Sequence, residues 1–195
     1  MTPELFFLEH LPRAWNARLS TLSDERRATL RDLSFELEIE LSSGAGQNFH
    51  LRVRDGEMQP VEQRAAHPLV TLVLDVDAFE ELLGQLGKPA LARLAELGGG
   101  STPGLSAASV AALRELRGSI RLDVSGARPW SIRLHCGPGP IPDPPDTTLQ
   151  LSSETWEELI SGQLEPQAAL LTGQLALEGK LDLPLRLALA LVRGD

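Results

Sequence analysis

Phe35-Glu-Leu-Glu-Ile-Glu-Leu41 alternates apolar and acidic residues without a break. A period of two puts Phe35, Leu37, Ile39 and Leu41 on one face and three glutamates on the other, the pattern of a strand with one buried and one wet face. Outward from it, Ser42 to Asn48 reads as a turn region, and Phe49, Leu51 and Val53 alternate in a second strand closed by the turn signal Asp55-Gly56. Val70-Thr-Leu-Val-Leu74 is a third, more continuously apolar strand, and Asp77-Ala-Phe-Glu80 reads as a capping box opening a helix through Leu83. Upstream, Pro3 to Leu33 reads as helical. Its leucines 5, 8, 11, 19, 22, 30 and 33, with Trp15, fall near helical spacing, and Ser23-Asp24-Glu25 offers a helix start.

The second half repeats this order. At an offset of 83, Leu37, Ile39 and Leu41 match Ile120, Leu122 and Val124; at 81, Phe49, Leu51 and Val53 match Trp130, Ile132 and Leu134. At 77, Thr71, Leu72 and Leu74 recur as Thr148, Leu149 and Leu151, and Phe79 as Trp156. The charge-free run Gly98 to Gly104 has linker composition. The organisation is therefore a first unit with its helical segment over 1–97, a linker over 98–104 and a second unit over 105–195. The first unit ends in a short helix, Pro89 to Leu97. The second continues after Gly162 with a helix, a strand at Gln174 to Glu178 and a turn at Gly179. Lacking that closing strand, the first unit must cover an exposed edge, which predicts two sheet layers packed together. Leu181, Leu183, Leu185, Leu187, Leu189 and Leu191 occupy every second position, the period of a strand, but Asp182 as a cap and Pro184 in a first turn favour a helix. A helix that is apolar all round must be covered on more than one side.

Composition narrows the function. The chain has 195 residues, 42% hydrophobic and 23% charged, with 38 leucines against 8 aromatics and no Tyr. The interior is aliphatic. A net charge of −9 argues against nucleic acid or anionic membrane surfaces as partners. One cysteine excludes an intrachain disulfide, no apolar run approaches membrane-spanning length, and Met1 to Trp15 lacks the basic region of a secretory signal. These features predict a cytoplasmic protein.

Chemistry is sparse. His135 and Cys136 are adjacent, so on a strand they point to opposite faces. His10, His50 and His67 have no ligand spacing and read as solvated or hydrogen-bonded. Asp75-Val-Asp77 lies where a strand enters a helix and reads as capping. Gly173 with Gly179-Lys180 misses phosphate-loop spacing by one residue, and the loop Gly137 to Pro145 reads as a stiff rim. No acid/base, nucleophile, metal or cofactor constellation emerges, which predicts a non-enzyme without metal or cofactor.

The stretch from Trp156 through Gly162, Pro166, Ala168 and Gly173 to Gly179-Lys-Leu181 resembles the sterol carrier protein 2 family: an aromatic, a glycine turn, an alanine-bearing helix, a glycine-bounded strand and an apolar terminal helix. Trp130, Ile132, Gly137 and the strand Thr147-Thr-Leu-Gln-Leu151 follow the family's order. Residues 111–191 resemble it well and 20–97 as a degenerate repeat; Lys180 replaces the family's usual acidic residue. The resemblance implies an α/β fold of the α+β type. Each of two units would be an antiparallel sheet of about five strands with helices on one face, enclosing an apolar cavity. It implies non-catalytic binding of fatty acyl, phospholipid or isoprenoid ligands, as carrier or substrate-presenting module, with a homodimer or an enzyme as possible protein partner. In the second unit the lining would be Trp130, Ile132, Trp156, Leu159, Leu175, Leu177, Leu183, Leu187 and Leu191. The alternative is a non-binding interaction or dimerisation module of the same fold, in which the leucines fill a core.

Overall fold

The computed structural model describes residues 1–20, 22, 28, 34–42, 46–64, 66–85 and 106–192. The alternating stretch Phe35–Leu41 is strand β1, and it pairs antiparallel with β2, Gln47–Arg54, setting Leu37 opposite Leu51 and Ile39 opposite Phe49. Asp55 and Gly56 both have positive φ, the geometry of a tight two-residue hairpin, and lead into β3, Glu57–Val61. The sequence reading passed over β3 because it is short and contains Pro60; an edge strand is where proline is tolerated. β4, Val70–Leu74, returns beside β1 in parallel. In the second half, β5 (Gly118–Ser125) and β6 (Trp130–Cys136) pair antiparallel, β7 (Thr147–Ser152) lies parallel to β5, and β8 (Leu175–Gly179) closes antiparallel on β7.

The two antiparallel sheets in packed layers, expected from sequence, are instead one continuous mixed sheet of order β3-β2-β1-β4-β6-β5-β7-β8. Two physical reasons account for this. Each crossover returns the chain to the start of its hairpin's first strand, so the next strand must run parallel to it; in the second half the crossover includes the proline-rich segment Gly137 to Pro145. The bare edge of β4 is met by β6, with antiparallel register Val70 to Cys136 and Leu74 to Ile132. Face packing would leave the edge amides of β4 unpaired, whereas strand pairing satisfies them.

Counting the shared strands, each half sits in a five-strand frame. β3-β2-β1-β4-β6 and β4-β6-β5-β7-β8 both run antiparallel, antiparallel, parallel, antiparallel. β6 thus closes the first frame as β8 closes the second. The pairing also corrects one sequence correspondence. Ile39 faces Phe49 as Leu122 faces Ile132, so Phe49 corresponds to Ile132 and not to Trp130. A two-residue slip keeps every side chain on its own face, which makes it invisible to hydrophobic alternation.

Register carries apolar rows across the whole sheet. Leu41, Leu74, Ile132, Leu122, Leu149 and Leu177 are successive neighbours on one face. The other face carries Glu38, Thr71, His135 and Ser119 in an equivalent row. The first helix, α1, comprises Pro3–Leu5, a π-helical turn at Phe6–His10 and Leu11–Leu19. Its Phe6, Phe7 and Trp15 are buried in the core, and Trp15 Nε1 donates to the Gly56 carbonyl at 2.8 Å. The remaining helices are α2 (Val76–Gln85), α3 (Ala107–Arg114), α4 (Ser153–Ser161), α5 (Pro166–Leu171) and α6 (Asp182–Val192). α2 starts earlier than the capping box at Asp77 implied, because Asp75 Oδ1 accepts from the Ala78 amide at 2.6 Å. Ser152 Oγ does the same for Thr155 at 3.2 Å, 77 residues on. The helix start at Ser23 to Glu25, the short helix Pro89 to Leu97, the linker 98–104 and the unit boundaries at 97 and 105 lie outside the described residues.

Candidate ligand-binding layer in the second half

The floor of the candidate site is the apolar face of β6, β5, β7 and β8. Trp130, Val124, Leu151 and Leu175 are successive neighbours in one row, and Ile132, Leu122, Leu149 and Leu177 in the next. Above it, α4 packs on β5 and β7. The Ser152 cap sets the helix register, and the spacing of three brings Trp156 and Leu159 to one side. Trp156 meets Trp130 edge to face at 5.3 Å. α6 packs on β5 and α3. Leu183 and Ala190 are buried and Leu187 half-buried.

The predicted residues fare unequally. Trp130 and Leu183 belong to the buried core, and Ile132, Trp156, Leu159, Leu175 and Leu187 are half-buried against it. Leu177 is half-buried on β8 outside that cluster. The side chain of Leu191 lies outside the described residues. The far side of α6 departs from expectation. Leu181, Leu185 and Leu189, four apart, are 60%, 61% and 53% exposed, so among the described residues only one side of the helix is covered. Asp182 is the first helical residue and sits 3.5 Å from Arg186.

The open end of the layer is tied by Asp146. Its Oδ2 accepts from the Ser119 amide and its Oδ1 from Lys180 Nζ, both at 3.0 Å, while Thr147 Oγ1 donates to the Lys180 carbonyl at 2.6 Å. These bonds join the starts of β5 and β7 to the end of β8. The Lys180 ammonium and then the Ser119 amide hold the Asp146 carboxyl below its ordinary range. Lys180, the residue that departs from the family's pattern, therefore has a local partner.

On the polar face, His135 is 5% exposed and neither ring nitrogen has a partner among the described residues; His50 Nδ1 is also buried without one among them. His50 is otherwise half-exposed, in keeping with a partly solvated ring. A row pattern tells which face a residue takes, but not that the crossover segments cover that face. Cys136, on the apolar side, is 2% exposed, and burial pushes its thiol up to about 11 against an opposing pull from Arg117.

Three cavities are lined by described residues, and none is enclosed by the predicted set. One of about 580 Å³ joins Trp130, Val124 and Leu151 to Arg121, Asp123 and Gln150 at the strand ends. A second, about 800 Å³, lies among Glu40, Arg64, Thr71 and Ile141. A third, about 710 Å³, lies where the halves meet, between Ser34, Arg52, Arg114 and Arg117. Sequence reading missed this last group because its members are far apart in the chain. No cluster of metal-ligating residues occurs among the described residues, and no described helix is long and apolar enough to cross a membrane.

Residues 104–191 match the SCP-2 sterol transfer family. That stretch holds α3 to α6 and β5 to β8, so the second half of this chain is SCP2-like. Similar solved structures include Sterol Carrier Protein 2 Like 2 from Aedes aegypti, at 19% identity over 55% of this chain and 96% of that one, with a TM-score of 0.36. Palmitated SCP2L2 from the same organism is 21% identical over 42% of this chain and 78% of that one, with a TM-score of 0.33. The apo form of Sterol Carrier Protein 2 from Yarrowia lipolytica is 9% identical over 95% and 97%, with a TM-score of 0.24. No curated protein matches the chain.

Proposed function

We infer that the second half binds a hydrophobic, lipid-like molecule, of fatty acyl, phospholipid or isoprenoid type, between the apolar sheet face and α4 and α6. The protein then serves as a carrier or substrate-presenting module without chemistry of its own. The observation that carries this reading is the half-buried layer of Ile132, Trp156, Leu159, Leu175 and Leu187. These residues touch the core but are not sealed into it, and they lie within the stretch matched to a sterol transfer family. An aliphatic layer with few polar anchors suits a flexible chain. α6 covers it as a lid, held on one side by β5 and α3 and bare on the other. The first half is a degenerate copy of the same unit. Its matching strand order supports this, and its space over the sheet is filled by Phe6 and Phe7, which pack against Phe79 at 5.7 and 5.6 Å.

A fluorescent fatty-acyl probe tests the reading. Binding is expected in the low micromolar range, about −8 kcal/mol, competed by one of the three lipid classes. Leu187→Asp is expected to weaken it at least tenfold, and Glu57→Ala on the exposed side of edge strand β3 to leave it unchanged. Truncation after Gly179 is expected to abolish binding. Absence of binding, or binding unchanged by Leu187→Asp in folded protein, contradicts it. The exposed stripe of Leu181, Leu185 and Leu189 favours a second reading, association with another copy through α6. Loss of dimer in Leu185→Asp, with no lipid uptake by wild type, would support that reading instead.

A further inference from the structure

We propose that the cleft between the two halves is an oxyanion site, in which Arg114 and Arg117 hold a carboxylate or phosphate group. The cleft, about 710 Å³, takes Ser34, Glu36 and Arg52 from the first half and Arg114, Glu115 and Arg117 from the second, with His67 on its rim. Its charge runs against that of the molecule. The chain carries −9 overall, yet here three guanidinium groups face two carboxylates. Glu36 is already neutralised by Arg52 Nε at 2.6 Å.

Arg114 and Arg117 instead spend their bonds on main-chain carbonyls. Arg114 Nη2 donates to the Ser34 carbonyl across the seam, and Arg117 Nη1 donates to the carbonyls of Arg114 and Leu116. Each guanidinium has five N–H donors, so both are tethered with donors left for a ligand. Gly137 completes the arrangement. Its φ is +93°, and a Cβ there would lie 2.5 Å from Arg117 Cδ, so the arginine stem lies across the space that glycine leaves. Two tethered guanidinium groups match the planar or tetrahedral oxygens of a carboxylate or phosphate. The shared chemistry is an oxyanion, either the head group of an amphiphile or a free anion. The site does not depend on the lipid reading.

The test is calorimetric titration of the full chain at low ionic strength with inorganic phosphate and, separately, dodecyl phosphate below its micellar concentration. Saturable binding is expected, weakening as salt rises. Arg114→Gln/Arg117→Gln is expected to lower affinity at least tenfold, and Arg13→Gln on α1 to leave it unchanged. Arg117→Lys keeps the charge without the fork and is expected to fall between. If the double variant fails to fold by circular dichroism, Arg117→Gln and Arg117→Lys carry the comparison. Tenfold tighter binding of dodecyl phosphate identifies an amphiphile head group; equal affinities identify a free anion. Either supports the site. No binding of either probe, or binding undiminished in folded arginine variants, overturns it, whatever the acyl probe does at α6.

Discussion

Cys136 and Asp146 both ionise differently in the folded chain than in the unfolded one. The buried Cys136 thiol is raised from 9.0 to about 11. Between these values the unfolded chain releases its proton while the folded chain keeps it, so stability falls as pH rises. With no Tyr in the chain, urea midpoints should decline over that interval, and Cys136→Val should flatten the decline. The Asp146 carboxyl is depressed, mainly by Lys180. Its contribution is present above the ordinary carboxylate range and is lost as pH falls through the lowered value. Asp146→Asn is expected to remove that part of the acid limb, read as a smaller loss of urea midpoint on acidification. Neither effect was legible in sequence. Cys136 read only as a lone thiol, and the Asp146–Lys180 pair spans 34 residues.

At the scale of elements, capping distinguishes the structure from the pattern. Asp75 and Ser152, not Asp77, hold the first turns of α2 and α4. Asp75→Ala and Ser152→Ala are each expected to cost about 1 kcal/mol by urea denaturation, and Asp77→Ala close to nothing. The alternating strands β1, β2 and β5 to β7 were readable because one face of each is apolar. β3 was not, since Pro60 and two polar neighbours mask so short an edge strand. The leucines of α6 satisfy a period of two as well as a helix apolar all round; only Asp182 and Pro184 tipped the reading, and no local signal foretold the bare outer stripe. Leu183→Ala is expected to cost about 2–5 kcal/mol, because this residue, 5% exposed, packs the first turn of α6 into the core beside Gly118.

For the whole molecule, sharing β4 and β6 makes each half the edge cover of the other. Residues 1–105 and 106–195, produced separately, are each expected to lack a cooperative melt. Mixing them is expected to restore the strand signal in circular dichroism; a cooperative melt by either piece alone would contradict the shared frame. The matching order of strands in the two halves was visible in sequence, and the bare first edge was visible as a problem. Its solution by strand pairing was not, because pairing partners leave no mark in hydrophobic alternation. The candidate layer was legible through its tryptophans and leucines, whereas the arginine cleft at the seam exists only once the halves are joined. Native mass spectrometry before and after organic extraction tests whether the second half holds a hydrophobic molecule. A 1:1 adduct of lipid-like mass is expected, removed by extraction and restored by adding acyl, phospholipid or isoprenoid compounds. A chain that carries no adduct and takes up none of these compounds would contradict it.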